Sequence, residues 1–203
     1  NLQRQILHST QEVGRPKADS ARDRINKLNS DVEVIPYKLR LTSENILEII
    51  KNYDIVVDGS DNFPTRYLVN DACVLANKPL SHGGIFRFDG QAITILPGKS
   101  ACYRCLFPEP PPPGLVPGCQ EAGILGAVAG VIGTILANEV LKYILDIGEL
   151  LSGRLVIFNA LDSTFRQVKV PRDPKCPLCG ENPSITKLID YEEFCQMRTR
   201  LTE

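Results

Sequence analysis

The sequence lacks several features that would place it in a specialised class of protein. It has no tryptophan, and its formal net charge is only −1, so it has no positive excess with which to bind nucleic acid or an anionic membrane. Asn1 is not followed by a signal peptide, that is, by a basic segment and then an apolar one, and we therefore expect a cytoplasmic protein. The seven cysteines are an odd number, which does not suit a disulfide framework. With 203 residues, 43% hydrophobic and 23% charged, the chain has the composition of one soluble globular domain.

Predicted helices and strands alternate along the first half of the chain, as is typical of α/β folds. Strands dominate beyond residue 80, and a hairpin is predicted at Asp89-Gly90. There is no GxGxxG turn before residue 100. We therefore predict a Rossmann-like doubly wound sheet, with its first strand and glycine-rich loop missing from this chain, and a C-terminal antiparallel β portion. The predicted helices cover residues 14–28, 44–52 (capped by Ser43) and 65–76, and the predicted strands cover residues 32–39, 55–57, 80–85, 91–96, 153–160 and 164–170.

The stretch Tyr53–Asn62 is the most informative part of this pattern. Its run Ile55–Val57 is β-branched or apolar throughout, which fits a strand buried on both faces of a parallel sheet. Turn-forming residues follow, and ligands of open α/β sheets bind at the carboxyl ends of strands. Asp58 and Asp61 are therefore expected to point at a ligand site. The same residues also fit an ordinary strand-to-helix loop in which an Asp caps the next helix.

A long apolar run, rich in small residues, extends from Ala122 to Ala137 and is interrupted only by Thr134. Its sixteen residues are fewer than the roughly 20 that a membrane-spanning helix needs, and Asn138 and Glu139 follow at once. We interpret the run as a buried helix of a soluble protein. Its small residues suit close packing on a sheet or on a second subunit.

Four cysteines form two CxxC pairs, Cys102 with Cys105 and Cys176 with Cys179, which are seventy residues apart. Two such pairs can direct four sulfurs at one tetrahedral Zn²⁺ with bonds of about 2.3 Å. A four-thiolate site has no open coordination position, so the predicted role of the zinc is structural. A redox CxxC pair and an iron–sulfur cluster are the alternatives.

Six segments lie along the chain in this order: Asn1–Gln5, Gly14–Lys17, Asp58–Asn62, Cys102–Cys105, Cys119–Gly123 with Gly130–Gly133, and Cys176–Cys179. Together they resemble the MoeB/ThiF-type adenylyltransferases of the ubiquitin-activating enzyme superfamily. Each segment alone is a weak signal, but six in order over residues 1 to about 180 are specific. The resemblance implies a homodimeric enzyme that uses ATP and Mg²⁺ to adenylate the C-terminal glycine of a ubiquitin-like sulfur-carrier protein ending in Gly-Gly. Pyrophosphate is then released.

The resemblance also implies roles for single residues. Arg4 and Lys17 would clamp the ATP phosphates and stabilise charge on the pyrophosphate, although either alone also fits an ordinary surface cation. Asp61 would hold Mg²⁺ through its oxygen atoms. Cys119 matches a cysteine that can form a thioester or persulfide-linked intermediate; the alternative is a spare thiol. The matching ATP-contact residues also include Asn1, Leu2, Gln3 and Asn62.

The resemblance further implies an adenylation domain over residues 1–180 and a tail over residues 181–203, which in some members leads into a rhodanese-like domain. Two other functions compete with the enzyme: an inactive subunit that only docks the carrier protein, and a dinucleotide oxidoreductase. The retention of Arg4, Lys17, Asp61 and Cys119 together favours the enzyme. The carrier stays open between molybdenum-cofactor, thiamine and cysteine synthesis and tRNA thiolation.

Overall fold

The computed structural model describes residues 1–112 and 123–196, which separate into two compact units, Asn1–Leu41 and Thr42–Glu203. The first unit contains a 3₁₀ turn, Thr10–Glu12, and helix α1, Lys17–Leu28, which Pro16 directly precedes. The prediction of a strand over residues 32–39 is wrong. A strand requires a neighbour to complete its backbone hydrogen bonds, and residues 1–41, all of them described, contain no second strand.

The second unit contains a five-stranded mixed sheet with its strands in sequence order. The first two strands are parallel, and each later pair is antiparallel, so the predicted change from α/β alternation to antiparallel pairing is confirmed. The strands are β1 Val56–Asp58, β2 Leu80–Phe86, β3 Asp89–Ile95, β4 Arg154–Asn159 and β5 Thr164–Lys169. The helices are α2 Ile46–Ile50, α3 Phe63–Leu75, α4 Tyr103–Leu106, α5 Gly126–Leu145 and α6 Tyr191–Gln196.

Two local predictions around β1 are wrong. Val57 is 52% exposed, so β1 is not buried on both faces; it lies at one edge of the described sheet. Ser43 does not cap α2, because the helix begins at Ile46 after Asn45. The Ser43 hydroxyl instead donates a hydrogen bond to the backbone carbonyl of Ile189. This bond connects the start of the second unit to the segment just before α6.

The hairpin between β2 and β3 turns earlier than predicted. Phe86 pairs with Asp89, so the two-residue loop is Arg87-Phe88, and Asp89-Gly90 already belongs to β3. Arg87 has a φ of 54°, the left-handed conformation that such short hairpin loops require. Gly90 is therefore needed for packing and not for the turn.

Helix α5 packs on the sheet and contributes three residues to a hydrophobic cluster there. Its buried residues recur along one stripe, at Val128, Ile132, Leu136 and Glu139, and the helix packs against β2 and β3. The other side, including Gly130, is exposed, so the predicted buried helix is buried on one face only. Within the described part of the chain, α5 is the one helix long and apolar enough to cross a membrane, a property that core helices of soluble proteins share.

Gly90 allows α5 to approach the sheet. A Cβ atom at this position would lie 2.4 Å from Cγ1 of Ile132 and 3.0 Å from Cγ1 of Val128. We expect Gly90→Ala to lower the free energy of unfolding by about 2–3 kcal/mol, because this part of the core is already filled. Chemical denaturation would measure the change. Gly59→Ala is the control, since its Cβ would meet nothing within 4 Å; an equal loss in both variants would contradict this explanation.

Candidate functional site

The end of β1 and the loop after it hold one buried carboxylate and one exposed carboxylate. Asp58 is only 4% exposed, and its Oδ1 accepts a hydrogen bond of 2.8 Å from the amide of Ser60. The residue that caps α3 is Asn62, whose Oδ1 accepts a 2.9 Å bond from the amide of Thr65. Asp61 lies between them and is exposed. The loop is therefore both a helix cap, through Asn62, and a candidate ligand site, through Asp61.

Asp61 and Asn62 line a cavity of about 420 Å³ at the carboxyl end of β1. The other walls come from α3, β2, β3 and the segment around α4, so residues distant in sequence converge here. Apolar rings form much of the wall, while a cation and several hydrogen-bonding groups are placed among them. The lining residues that bear on the chemistry are Arg66, His82, Gln91, Tyr103 and Phe107.

His82 is the main polar residue of this cavity that the sequence analysis missed. It lies directly opposite Asp58 in the β1–β2 register, and its Nδ1 is 2.9 Å from Asp58 Oδ2. Burial opposes ionisation of Asp58, but the hydrogen bonds that Asp58 accepts from His82 and Ser60 outweigh burial and hold the pKa of this carboxyl below its ordinary value. A signal was present in the sequence: Asp58 and His82 are each the third residue of their strand, and equal positions in adjacent parallel strands can lie side by side.

The first unit contains the other predicted nucleotide residues. Asn1, Leu2 and Lys17 line a cavity of about 360 Å³ within this unit. Arg4 Nη2 donates a 2.9 Å hydrogen bond to Asn1 Oδ1. Gln3 lies in the same exposed turn. The predicted residues of the N-terminal segment and of α1 are thus neighbours in space.

Gln5, which the sequence analysis did not single out, lines the same 360 Å³ cavity. Its Oε1 is one of two buried side-chain polar atoms without a hydrogen-bond partner among the residues described. An unpaired buried acceptor costs about 1–3 kcal/mol, so a ligand that donates a hydrogen bond here would recover that cost.

The four predicted metal ligands form one cluster, in which all sulfurs lie within 4.8 Å of one another. The Cys102–Cys176 and Cys105–Cys179 sulfur pairs are 3.6 and 3.4 Å apart, whereas Cys102 and Cys105 are 3.9 Å apart. A tetrahedral Zn²⁺ with bonds of about 2.3 Å separates its sulfurs by about 3.8 Å. The distances therefore fit a four-thiolate ion. Because the shortest contacts join different CxxC pairs, they do not favour a redox pair within either one.

The backbone around the cluster also suits thiolates. The amide of Cys179 points at Cys176 Sγ and the amide of Asp173 at Cys105 Sγ, each at 3.5 Å. Gly180 is tightly enclosed, since a Cβ there would lie 2.5 Å from two backbone carbonyl oxygens. The loop that follows β5 is thereby closed around the second CxxC pair.

A buried ionic network joins α3, α4 and α6 next to this cluster. Arg104, 1% exposed, donates through Nη2 to Asp71 Oδ2 at 2.7 Å, and Tyr191 donates to the same oxygen at 2.8 Å. Burial, followed by the charge of Asp71, raises the pKa of the Tyr191 hydroxyl, which therefore stays a donor. The guanidinium of Arg104 also lies over the rings of Tyr67 and Phe194.

Removal of Asp71 should strongly destabilise the second unit. We expect Asp71→Ala to lower the free energy of unfolding by about 3–5 kcal/mol, because it leaves the buried guanidinium of Arg104 without its counter-ion. Tyr191→Phe is the matched variant; it removes one hydrogen bond to the same carboxylate and should cost about 1.5–3 kcal/mol. Urea denaturation of both variants measures the difference. Equal losses would show that the ion pair contributes little.

Comparison with known proteins identifies the family. A family model described as the ThiF family matches residues 1–178. The chain belongs to the ThiF family. Cys119, one of the predicted catalytic residues of this ThiF chain, lies outside the described residues.

Three relatives show how much of a ThiF protein this chain represents. It is 53% identical to the sulfur carrier protein adenylyltransferase of Thermus thermophilus, over 98% of this chain and 75% of that protein. It is 50% identical to the SAMP-activating enzyme E1 of Haloferax volcanii, over 96% of this chain and 72% of that protein. It is 49% identical to adenylyltransferase and sulfurtransferase MOCS3 of Aedes aegypti, over 98% of this chain and 46% of that protein.

A solved structure supports the fold. The crystal structure of E. coli MccB with ATP aligns with a TM-score of 0.74 and 24% identity. The alignment covers 89% of this chain and 55% of MccB, so the chain spans about half the length of that protein. At this identity the likeness supports the arrangement of helices and strands alone.

Proposed function

We propose that this chain is the adenylation part of an enzyme that joins AMP from ATP to the C-terminal glycine of a ubiquitin-like sulfur-carrier protein. The observation that carries the proposal is 53% identity, over 98% of the chain, to a sulfur carrier protein adenylyltransferase. In the reaction, a carboxylate oxygen of the carrier attacks the α-phosphorus of ATP, and the bond to pyrophosphate breaks. The adenylation domain would cover residues 1–180, with residues 181–203 as its tail.

In this proposal the ATP phosphates contact the first unit. Lys17 lies in the first turn of α1, where the helix dipole adds to the attraction for phosphate. Arg4 and Asn1 hydrogen-bond each other at the edge of the N-terminal turn, and Leu2 and Gln3 belong to the same segment. Arg4 and Lys17 would stabilise the negative charge that develops on pyrophosphate as its bond to the α-phosphorus breaks. Such contacts lower the energy of the transition state more than that of the bound substrates, and they therefore accelerate the reaction.

Asp61 is the proposed Mg²⁺ ligand, with Asn62 beside it at the nucleotide. Its carboxylate is exposed and lines the 420 Å³ cavity, and carboxylate oxygen is the ligand type that Mg²⁺ prefers. When bound, the ion would neutralise phosphate charge. Asp58 is unsuited to this task, because the buried hydrogen bonds to His82 and Ser60 already occupy its oxygens.

The four-cysteine cluster is proposed to hold a structural Zn²⁺. Its donor set and sulfur spacing fit that ion, and a four-thiolate shell leaves no position for substrate. Two of the cysteines lie in or next to α4, and the other two lie in the loop after β5. The cluster therefore holds this loop against α4, the helix that carries Tyr103 of the cavity. Zinc would thus support the cavity without taking part in the reaction.

We further propose that the enzyme is a cytoplasmic homodimer. The exposed side of α5 is apolar, and Leu141, Ile144 and Leu145 are each more than half exposed there. A second copy of the chain could cover this side, because Gly130 and Gly133 leave it free of bulk. Leu141→Glu with Ile144→Glu should then shift the protein from dimer to monomer in sedimentation. A dimer that survives both charges would place the interface elsewhere.

ATP–pyrophosphate exchange tests the proposed reaction directly. Carriers of the ubiquitin fold that end in Gly-Gly would be assayed one at a time, both with this chain and with a chain extended at its N-terminus to include the glycine-rich loop expected of the family. We expect exchange with one carrier, which would also identify the pathway. A folded, metal-loaded, extended chain that exchanges with no carrier would instead support a docking subunit.

A further inference from the structure

The buried Asp58–His82 pair has no task in adenylate formation as proposed above. The nucleophile of that step is a carboxylate, which has no proton to lose. Yet His82 lines the same cavity as Asp61, so its imidazole faces the place where the carrier's adenylate would form. Only 8% of the His82 side chain is exposed, and the pair belongs to two adjacent strands. A buried ionisable pair at a cavity wall is a frequent arrangement of catalytic groups.

The geometry fixes the tautomer of His82. An ionised carboxylate can only accept hydrogen bonds, so the 2.9 Å contact requires that Nδ1 of the imidazole carries a proton. Nδ1 is directed at Asp58, so Nε2 is the ring nitrogen left to the cavity that His82 lines, and it is the atom with a lone pair whenever the ring is neutral. The Tyr103 ring packs edge-on against the imidazole, with centroids 4.9 Å apart, and restricts its rotation.

The charges around the imidazole suit a group that gains a proton. Asp58, from β1, is held ionised by its environment and would balance an imidazolium. From α3, the Arg66 guanidinium interacts with the Tyr103 hydroxyl, and Cys73 lies near Asp58 with its thiol pKa raised, chiefly by burial, to about 12. From β3, Asp89 lines the same cavity.

An acyl adenylate is normally consumed by a second nucleophile, and a sulfur carrier must receive its sulfur from a thiol or a related group. This inference rests on the proposed function. We propose that His82 is the base that takes the proton from a thiol as the thiol attacks the carrier's acyl adenylate in this cavity. A sulfur–carbon bond forms, the carbon–oxygen bond to AMP breaks, AMP leaves as an anion, and the thiol proton moves to Nε2. No atom changes oxidation state.

The test compares thiols of different acidity. An alkyl thiol such as 2-mercaptoethanol is largely protonated at pH 7 and needs a base, whereas thiophenol is largely ionised and does not. Adenylated carrier would be formed on the extended enzyme with ATP and pyrophosphatase, and each thiol would then be added. Mass spectrometry measures the rate of thioester formation, with the rate for adenylate free of enzyme subtracted.

We expect His82→Gln to slow the reaction of 2-mercaptoethanol by about 100-fold or more, the usual contribution of a general base. The reaction of thiophenol should change by less than about threefold, because its thiolate bypasses the base. Asp58→Asn, which favours the wrong tautomer, should show the same selectivity. Ser81→Ala, at the neighbouring buried position of β2, is the control and should react with both thiols as the unmodified enzyme does.

Each remaining outcome decides between explanations. Equal losses with both thiols, in variants whose melting temperatures match that of Ser81→Ala, would overturn the inference, and so would unchanged rates. Loss of pyrophosphate exchange in a folded His82→Gln protein would also overturn it, because His82 would then act in the first step. If the unmodified, extended enzyme itself gives no exchange with any carrier, the proposed function is wrong, and the role of His82 that rests on it is wrong as well.

Discussion

Replacing Asp61 by alanine should reduce ATP–pyrophosphate exchange by at least about 1,000-fold, the scale of losing a key electrostatic contact to the reacting phosphates. The measurement requires the N-terminally extended chain and the carrier that supports exchange. Asp61 is exposed in the loop between β1 and α3 and does not cap the helix, since Asn62 does so. The variant should therefore fold normally, and its defect should arise from the loss of the proposed Mg²⁺ ligand.

Two further variants sharpen this test. Asp61→Asn keeps the shape and removes the charge, so it should lose most of the exchange and need more Mg²⁺ for what remains. Asp54→Ala removes another exposed carboxylate, before β1, and should leave exchange unchanged. If Asp61→Ala exchanges at the normal rate, then the Mg²⁺ assignment is wrong.

The second large effect should come from the cysteine cluster. Structural zinc in small domains contributes about 10–16 kcal/mol of binding free energy, which is comparable with the roughly 5–15 kcal/mol stability of a whole domain. We expect Cys176→Ser to lose the metal and to lower the melting temperature by more than about 10 °C. Cys176 is almost fully buried, and its sulfur lies 3.6 Å from that of Cys102.

Metal analysis and calorimetry together would check this prediction. The unmodified chain should contain one equivalent of zinc, and a strong chelator should lower its melting temperature as Cys176→Ser does. Cys195→Ser is the control, because Cys195 lies in α6, outside the cluster, and should retain the metal. A metal-free chain of full stability would show that the four thiols need no ion.

Exchange assays of Asp61 variants and melts of Cys176 variants probe different parts of the chain. The first measures chemistry at the carboxyl end of β1; the second measures whether α4 stays attached to the loop after β5. A metal-depleted protein that still folds should bind its carrier poorly, because Tyr103 and Phe107 of the cavity wall lie in and directly after α4.

Local sequence patterns determined much of this protein. The two CxxC pairs identified four residues that do cluster, because each pair is a compact loop that needs only one contact with the other. The helical spacing over residues 14–28 and the apolar run from Ala122 gave α1 and α5, since both patterns act within a few turns of chain. The family motifs likewise lie in short segments whose order is enough to recognise them.

Tertiary structure alone decided the rest. His82 has no local signature, and its pairing with Asp58 exists only because β1 and β2 lie in parallel register. Arg104, Asp71 and Tyr191 are far apart in sequence and meet through the packing of three helices. Residues 32–39 have a strand-like sequence but no neighbouring strand in their unit. In each case the outcome depends on a contact between residues that are distant in sequence. The energy of such a contact depends on the partner that the fold places nearby, and a residue's sequence neighbours do not reveal that partner.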